Sequence, residues 1–254
     1  MLEILFQYGP VTVRTFNILL ATGFLAGGFF LLKFVSRRKM SASFLAHFYP
    51  HFLLAALLGG RLAYIFSHLS SFASNPFSVL FIWDMGFSFF GCLYGLLIVL
   101  FFIARQAKED FWAWLDAFML TLLLILIFTH IGQFFGGIAY GKPTELPWGI
   151  AFDAHNIPFT TPLHPTTLYS ALAALAVFHI SLRYSKRTHL SGMAGSLALM
   201  LYSLASLGID FFHGAPSLYA KISFGILAAL AFVSFIHCSY KTHYLPPPLT
   251  NNQI

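Results

Sequence analysis

The sequence is poor in charged residues and in cysteine. Only 9% of its 254 residues are Asp, Glu, Lys or Arg, whereas 58% are hydrophobic and the mean hydropathy is +0.78. A soluble domain carries about 25% charged residues, so this composition excludes a soluble fold with a single core. The two cysteines, Cys92 and Cys238, lie in or beside apolar segments far apart in the chain. We interpret both as packing residues rather than as a disulfide or a metal pair.

Sequence motifs for metals, nucleotides and nucleic acids are also absent. The eleven histidines are scattered, with no His-x-x-x-His pair beside a third ligand, and no Walker-type glycine loop is present. The net charge of +6 does not indicate nucleic acid, because the basic residues form short clusters between apolar runs. We therefore expect no metal, no cofactor and no nucleic-acid partner.

Seven apolar stretches have the length of about 17–25 residues that a membrane-spanning helix needs. The sequence thus predicts an all-α transmembrane fold, a seven-helix polytopic bundle in one domain from residue 1 to 244. The tail from 245 to 254 contains three consecutive prolines and is predicted to be disordered. The predicted spans lie near Phe16–Phe34, Phe44–Phe66, Met85–Ala104, Phe111–Phe128, Thr166–Leu182, Gly192–Phe212 and Tyr219–His237.

Basic residues predict the orientation of these spans. Ten of the 14 Lys and Arg fall on one side of the membrane (Lys33, Arg37, Arg38, Lys39, Arg105, Lys108, Arg183, Lys186, Arg187 and Lys241). By the positive-inside rule that side is cytoplasmic, so the N-terminus is predicted outside and the C-terminus inside. The loop 129–165 is then external, and its glycines and prolines predict an irregular cover over the helices.

Ionisable residues at membrane depth are costly, which makes each of them a candidate for function. Arg61 follows Gly59 and Gly60 inside the second span, where glycines let another helix approach closely. It is either a buried cation for an anionic head group or part of an ion pair with Asp84 or Asp210, and one arginine can do both. Asp84 stands at the start of the third span, where an acidic residue often only caps a helix.

The fourth and fifth spans each have a histidine beside them. His130, followed by Gln133, comes directly after an apolar run and is either an interfacial residue or a reacting group. His164 precedes Pro165, so we expect an extended backbone there and Pro165 in the first turn of the helix. Either following threonine would cap this helix, namely Thr166 or Thr167.

Asp210 and His213 form a third candidate near the end of the sixth span. Their spacing of three residues places them on one helix face. They are either an acid/base pair or a pair that only satisfies its own charges.

Six short motifs follow one another along the chain in an order that is typical of one family. They are Gly-Pro at 9–10, Gly-Gly-Arg-x-x-Tyr at 59–64, Trp-Asp-x-Gly-x-Ser-Phe at 83–89, Tyr-Gly-Lys-Pro-Thr at 140–144, Leu-Pro-Trp at 146–148 and His-Pro-Thr-x-x-Tyr at 164–169. With these motifs the chain resembles, over roughly residues 8–215, the prolipoprotein diacylglyceryl transferases of bacteria.

The resemblance implies a multi-pass protein of the bacterial plasma (inner) membrane. Such an enzyme moves the diacylglyceryl group of phosphatidylglycerol to the lipobox cysteine thiol of a prolipoprotein signal peptide, and glycerol phosphate leaves. Catalytic candidates on this basis are His130, His164, Asp210 and His213. Candidate substrate-binding residues are Arg61, Tyr64, Asp84, Ser88, Gln133, Gly141 and Tyr169.

Several polar positions of the family pattern hold other residues in this chain. A tyrosine, a histidine and two glutamates are replaced by Phe16, Phe90, Ile138 and Ser170, and an arginine by Ser206. His130 and His213 stand where the family has arginine, so they keep possible cations at two former arginine positions. The alternative interpretation is a non-catalytic lipid- or partner-binding pseudoenzyme of the same fold.

Overall fold

The computed structural model describes residues 4–8, 11–69, 72, 77–78, 86–151, 161–188, 190–215 and 217–244. In these residues a short antiparallel hairpin of β1 (Ile4–Tyr8) and β2 (Val11–Arg14) precedes the helices. Seven long helices follow, which are α1 (Thr15–Arg37), α2 (Ala42–Ser67), α3 (Phe89–Gln106), α4 (Phe111–Phe135), α5 (Thr166–Arg187), α6 (Met193–Asp210) and α7 (Leu218–Tyr244).

All seven helices are long and apolar enough to cross a membrane. The predicted all-α polytopic fold is therefore confirmed, whereas the orientation of its termini stays a prediction. The chain has two compact units, a larger one of Met1–Phe34 with Leu115–Ile254 and a smaller one of Val35–Trp114. The prediction of one polytopic domain to residue 244 stays a prediction, and the tail 245–254 lies outside the described residues.

Two helix boundaries differ from the sequence prediction in ways that affect candidate residues. Helix α3 begins at Phe89, because Ser88 has an extended backbone and its hydroxyl accepts a hydrogen bond from Gly91 N (3.4 Å), as an N-cap does. Asp84 lies outside the described residues. Helix α4 continues to Phe135, so His130 and Gln133 lie on its last turns rather than after it.

In the smaller unit, small residues bring α2 and α3 into backbone contact. A Cβ atom added at Gly59 would overlap the carbonyl oxygen of Gly91, one at Gly91 would overlap that of Gly59, and one at Gly95 would overlap that of Ala55. Small residues four positions apart are the usual basis of close helix packing in lipid, where burial of apolar surface gives no driving force. This contact fixes α2, and with it Arg61.

Gly91→Ala is therefore expected to lower the thermal stability of the protein in detergent by several degrees, because the new methyl group meets backbone atoms that cannot rotate away. Gly28→Ala is the matched control, since a Cβ atom at Gly28 meets nothing within 4 Å. This control should leave stability unchanged or raise it slightly. Equal melting temperatures for the two variants would contradict the packing argument.

In the larger unit, a buried carboxylate on α4 holds the start of α6. Asp116 is 3% exposed and accepts hydrogen bonds from the backbone N–H groups of Gly192 (2.9 Å) and Gly195 (2.5 Å). Gly192 is the N-cap residue of α6 and Gly195 lies in its first turn. The N–H groups at a helix start need acceptors and favour a negative charge. Asp116 thus fixes α6 against α4, on which His130 also lies.

Candidate active site

The predicted irregular loop of the larger unit is held on both sides by backbone pairing. Gly141 N donates to His164 O (3.0 Å), His164 N donates to Lys142 O (3.0 Å) and Lys142 N donates to Phe212 O (2.9 Å). Residues 140–144 therefore lie between the segment before α5 and the segment after α6. This ladder joins the loop to the start of α5 and to the end of α6, beside which His164, Asp210 and His213 lie.

Gly141 is required here for close approach of the backbone. A Cβ atom at this position would lie 2.5 Å from His164 O, 2.6 Å from His164 Cβ and 2.8 Å from Phe212 O. Any side chain would push the loop away from both neighbours. The structure thus gives Gly141 a packing role, and its predicted part in substrate binding stays a prediction.

The backbone before α5 makes a tight turn at Pro165. With φ −77° and ψ 69° at Pro165 and Thr166 N donating to His164 O (2.9 Å), this is an inverse γ-turn. Pro165 is thus the residue before the helix, not its first turn. The prediction of a threonine cap is wrong, because the hydroxyls of Thr166 and Thr167 have no hydrogen-bond partner within the described residues.

His164 is 9% exposed and is joined to two aromatic side chains. Its Nδ1 lies 3.1 Å from the Tyr169 hydroxyl, which also accepts a hydrogen bond from Trp148 Nε1 (2.9 Å). We assign the Tyr169 proton to the His164 bond, which leaves the proton of a neutral imidazole on Nε2. The His164 ring packs against Phe212 at 5.0 Å between ring centres.

His130 has partners for both ring nitrogens. Nδ1 lies 2.9 Å from Gln133 Oε1 and Nε2 lies 2.7 Å from the hydroxyl of Tyr202 on α6. In a neutral ring the Nδ1 proton goes to Gln133 and Tyr202 donates to Nε2. After protonation at Nε2 the same oxygens accept both protons, while the Tyr202 hydroxyl keeps its hydrogen bond with Ser206. The group can therefore take up a proton without losing a hydrogen bond.

Asp210 and His213 lie close together, but no hydrogen bond joins their side chains within the described residues. The Asp210 side chain is 11% exposed, with Lys221 Nζ 3.5 Å from its carboxylate, and the backbone N–H of His213 donates to Asp210 O. Nδ1 of His213 is buried with no hydrogen-bond partner among the described residues. Burial lowers the pKa of His213 below its usual value near 6.5, against the opposing attraction of the Asp210 carboxylate.

In the smaller unit Arg61 is 7% exposed and binds backbone carbonyls. Nη1 donates to Gly86 O (3.1 Å) and Nη2 to Ser78 O (2.7 Å), while the rings of Tyr64 and Phe72 lie 6.0 and 5.5 Å from the guanidinium carbon. Tyr64 also stacks on His68, with 4.2 Å between ring centres. Arg61 therefore anchors the connection between α2 and α3, whatever else it binds.

Sequence reasoning missed two side chains that complete the larger unit's cluster. Tyr202 looks ordinary in an apolar span, yet Tyr202, Ser206 and Asp210 are spaced by four residues and form a polar row along α6. That spacing was the available signal. Lys221 lies in the first turn of α7, and only its contact with Asp210 marks it.

Seven spans with titratable side chains gathered at the ends of four helices define a multi-pass membrane protein with a polar site. A family model described as prolipoprotein diacylglyceryl transferase matches residues 3–240. The chain is 30% identical to the phosphatidylglycerol–prolipoprotein diacylglyceryl transferase of Synechococcus sp. (strain CC9902), over 81% of this chain and 77% of the relative. It is 32% identical to the protein of the same name from Desulfotalea psychrophila, over 83% of this chain and 80% of the relative.

The chain therefore belongs to the prolipoprotein diacylglyceryl transferase family. The resemblance drawn from the short motifs is confirmed. The names of the relatives do not favour the pseudoenzyme alternative. The particular roles predicted for the candidate residues stay predictions.

Proposed function

We propose that this protein transfers the diacylglyceryl group of phosphatidylglycerol to the cysteine thiol of a prolipoprotein. Its family and the names of its relatives support this activity. The observation that carries the proposal in this chain is the cluster of His130, His164, Asp210 and His213 around residues 140–144, here called the paired loop. Such a cluster supplies proton acceptors and cations, which the reaction needs.

In the reaction a bond forms between the cysteine sulfur and the glyceryl carbon, while the bond from that carbon to the phosphate oxygen breaks. The thiol proton goes to a base, and the electron pair of the broken bond leaves with glycerol phosphate. His130 is suited to accept a proton through Tyr202, whose hydroxyl would take the thiol proton as it passes its own to Nε2. Gln133 and Tyr202 hold both the neutral and the cationic form of the ring. His213 in its cationic form would stabilise the phosphate, with Asp210 favouring that charge.

The remaining candidates are proposed to bind or position substrate. His164 and Tyr169, linked by their hydrogen bond, would orient a polar group of the lipid or peptide. In the smaller unit, Arg61 and Tyr64 would contact an anionic head group, Ser88 would act through its cap on α3, and Asp84 keeps its predicted binding role.

We also propose that the protein lies in the bacterial plasma membrane with its N-terminus outside. The clustering of basic residues supports this orientation, and a prolipoprotein signal peptide would then meet the site at the outer face. A reporter inserted near Glu145 should give an external signal. A cytoplasmic signal there would contradict the arrangement.

The test is transfer of labelled diacylglycerol from phosphatidylglycerol to a lipobox peptide by the purified protein in detergent micelles. We expect a labelled cysteine peptide and no label on the matched serine peptide. His130→Gln should lower the rate about 100-fold or more, the usual size of an acid–base contribution. His179→Gln is the control, because His179 is exposed and, in the part of the chain that the structure describes, its ring bonds only to Leu175 O of the same helix. Absence of transfer by the unmodified protein would contradict the proposed function.

A further inference from the structure

Two lysines reach the same short stretch at the end of α6. Nζ of Lys142 donates to the carbonyl oxygen of Phe211 (2.7 Å). Nζ of Lys221 lies 3.5 Å from the Asp210 carboxylate and 6.0 Å from the centre of the Phe211 ring. The two ammonium groups come from different segments, the paired loop and α7, and both converge on residues 210–211.

Both ammonium groups are accessible and keep free bonding capacity. Lys142 is exposed and the side chain of Lys221 is 42% exposed. An ammonium has three N–H donors, and within the described residues Lys142 uses one of them, for Phe211 O. Each lysine can therefore contact an additional acceptor without giving up the contact it already makes.

Stabilising the helices does not account for both lysines. A cation near the C-terminus of α6 suits the helix dipole, but Lys221 lies in the first turn of α7, where the dipole disfavours a cation. Together Lys142, Lys221 and Asp210 carry a net charge of about +1. Next to them lies His213, whose Nδ1 has no hydrogen-bond partner in the described part of the chain. The net positive charge and the unpaired ring nitrogen favour an anionic ligand.

We propose that Lys142 and Lys221 form a phosphate-binding site at the Asp210 end of α6. Ammonium groups bind phosphate as compact point charges. The ligand is either the phosphodiester of an anionic phospholipid or the glycerol phosphate that the reaction would release. The identification of the lipid as substrate rests on the proposed function, whereas the existence of the anion site does not.

The test measures binding of phosphatidylglycerol and of phosphatidylcholine with the same acyl chains to the full protein in detergent. Lys142→Gln and Lys221→Gln are each expected to weaken phosphatidylglycerol binding about fivefold and the double variant about 25-fold, with phosphatidylcholine unaffected. Lys142→Arg and Lys221→Arg should retain binding, because they retain the charge. Lys186→Gln is the matched control, because Lys186 is an exposed lysine in the last turn of α5. Its affinity for phosphatidylglycerol should stay within twofold of that of the unmodified protein.

Soluble glycerol phosphate distinguishes the two sources of the anion. Competition with phosphatidylglycerol in the unmodified protein, lost in the double glutamine variant, would support a site that holds the released product as well. No competition by glycerol phosphate, with lysine-dependent lipid binding retained, would support a lipid site alone. Unchanged phosphatidylglycerol binding in the double variant, or an equal loss for phosphatidylcholine, would overturn the proposal. The transfer assay is read separately: absent transfer with lysine-dependent binding contradicts the proposed function but not this site.

Discussion

Arg61→Ala is expected to remove most of the folded protein from the membrane. The substitution takes the Nη1 donor from Gly86 O and the Nη2 donor from Ser78 O, and it leaves a cavity between Tyr64 and Phe72. Loss of a buried donor costs about 1–3 kcal/mol for each acceptor, a large part of the typical 5–15 kcal/mol that stabilises a domain. The measurement is the amount of protein recovered from membranes, together with its melting temperature in detergent.

Arg105→Ala is the matched control for this experiment. Arg105 belongs to the same unit but is exposed at the end of α3, with its guanidinium over the Phe101 ring, so its loss should change little. Arg61→Lys should recover only part of the stability, because an ammonium lacks the planar fork that reaches both carbonyls. Normal recovery of Arg61→Ala with lost phosphatidylglycerol binding would instead favour the head-group role. Normal recovery with normal binding would remove Arg61 from both roles.

The number and type of the helices could be predicted from the sequence because membrane burial leaves long apolar runs. A span needs about 20 apolar residues whatever it packs against, so even a 30% identical chain keeps the signal. The boundaries were less predictable. The sequence predicts an end of this helix near Phe128, because hydropathy falls at Thr129 and His130. Helix α4 nevertheless continues to Phe135, since polar residues interrupt the apolar run without interrupting the helix.

The candidate site was predictable as a list of residues but not as a set of contacts. Polar residues in apolar surroundings mark His130 and Asp210, and the row along α6 could have marked Tyr202. The partners of these residues come from distant segments: Tyr202 lies 72 positions from His130. No local spacing encodes that pairing, nor the contact of Asp116 with the start of α6, because both depend on how the helices pack.

The pairing also changes how the two histidines at former arginine positions are interpreted. Arginine is charged at any working pH, so an arginine at either position stays charged whatever its neighbours are. His130 has hydrogen-bond acceptors for two protons, which fits a group that gains and loses one. His213 has a buried ring nitrogen without a partner in the described residues, which fits a group that can bind a ligand.

Binding of phosphatidylglycerol is therefore expected to weaken as the pH rises from about 5 to 7. Burial lowers the pKa of His213 below 6.5, so its ring is neutral at pH 7 in the folded protein and becomes a cation only at lower pH. The groups that act on this ring are Asp210, which favours the cation, and His130, which disfavours it when charged. The free energy of unfolding depends on pH in the opposite direction. Because folding lowers the pKa of His213, acidification through and below pH 6.5 lowers the free energy of unfolding.

The decisive variant is His213→Arg, which should bind phosphatidylglycerol with little change between pH 5 and 7, because its charge does not titrate. His213→Gln should bind weakly and equally across that range, and His179→Arg, at an exposed position of α5, should keep the slope of the unmodified protein. The dissociation constant is measured in detergent at each pH, with phosphatidylcholine as the neutral lipid. A slope that persists in both His213 variants would assign the titration to another group. A flat profile in the unmodified protein would show that His213 does not act as a phosphate-binding cation.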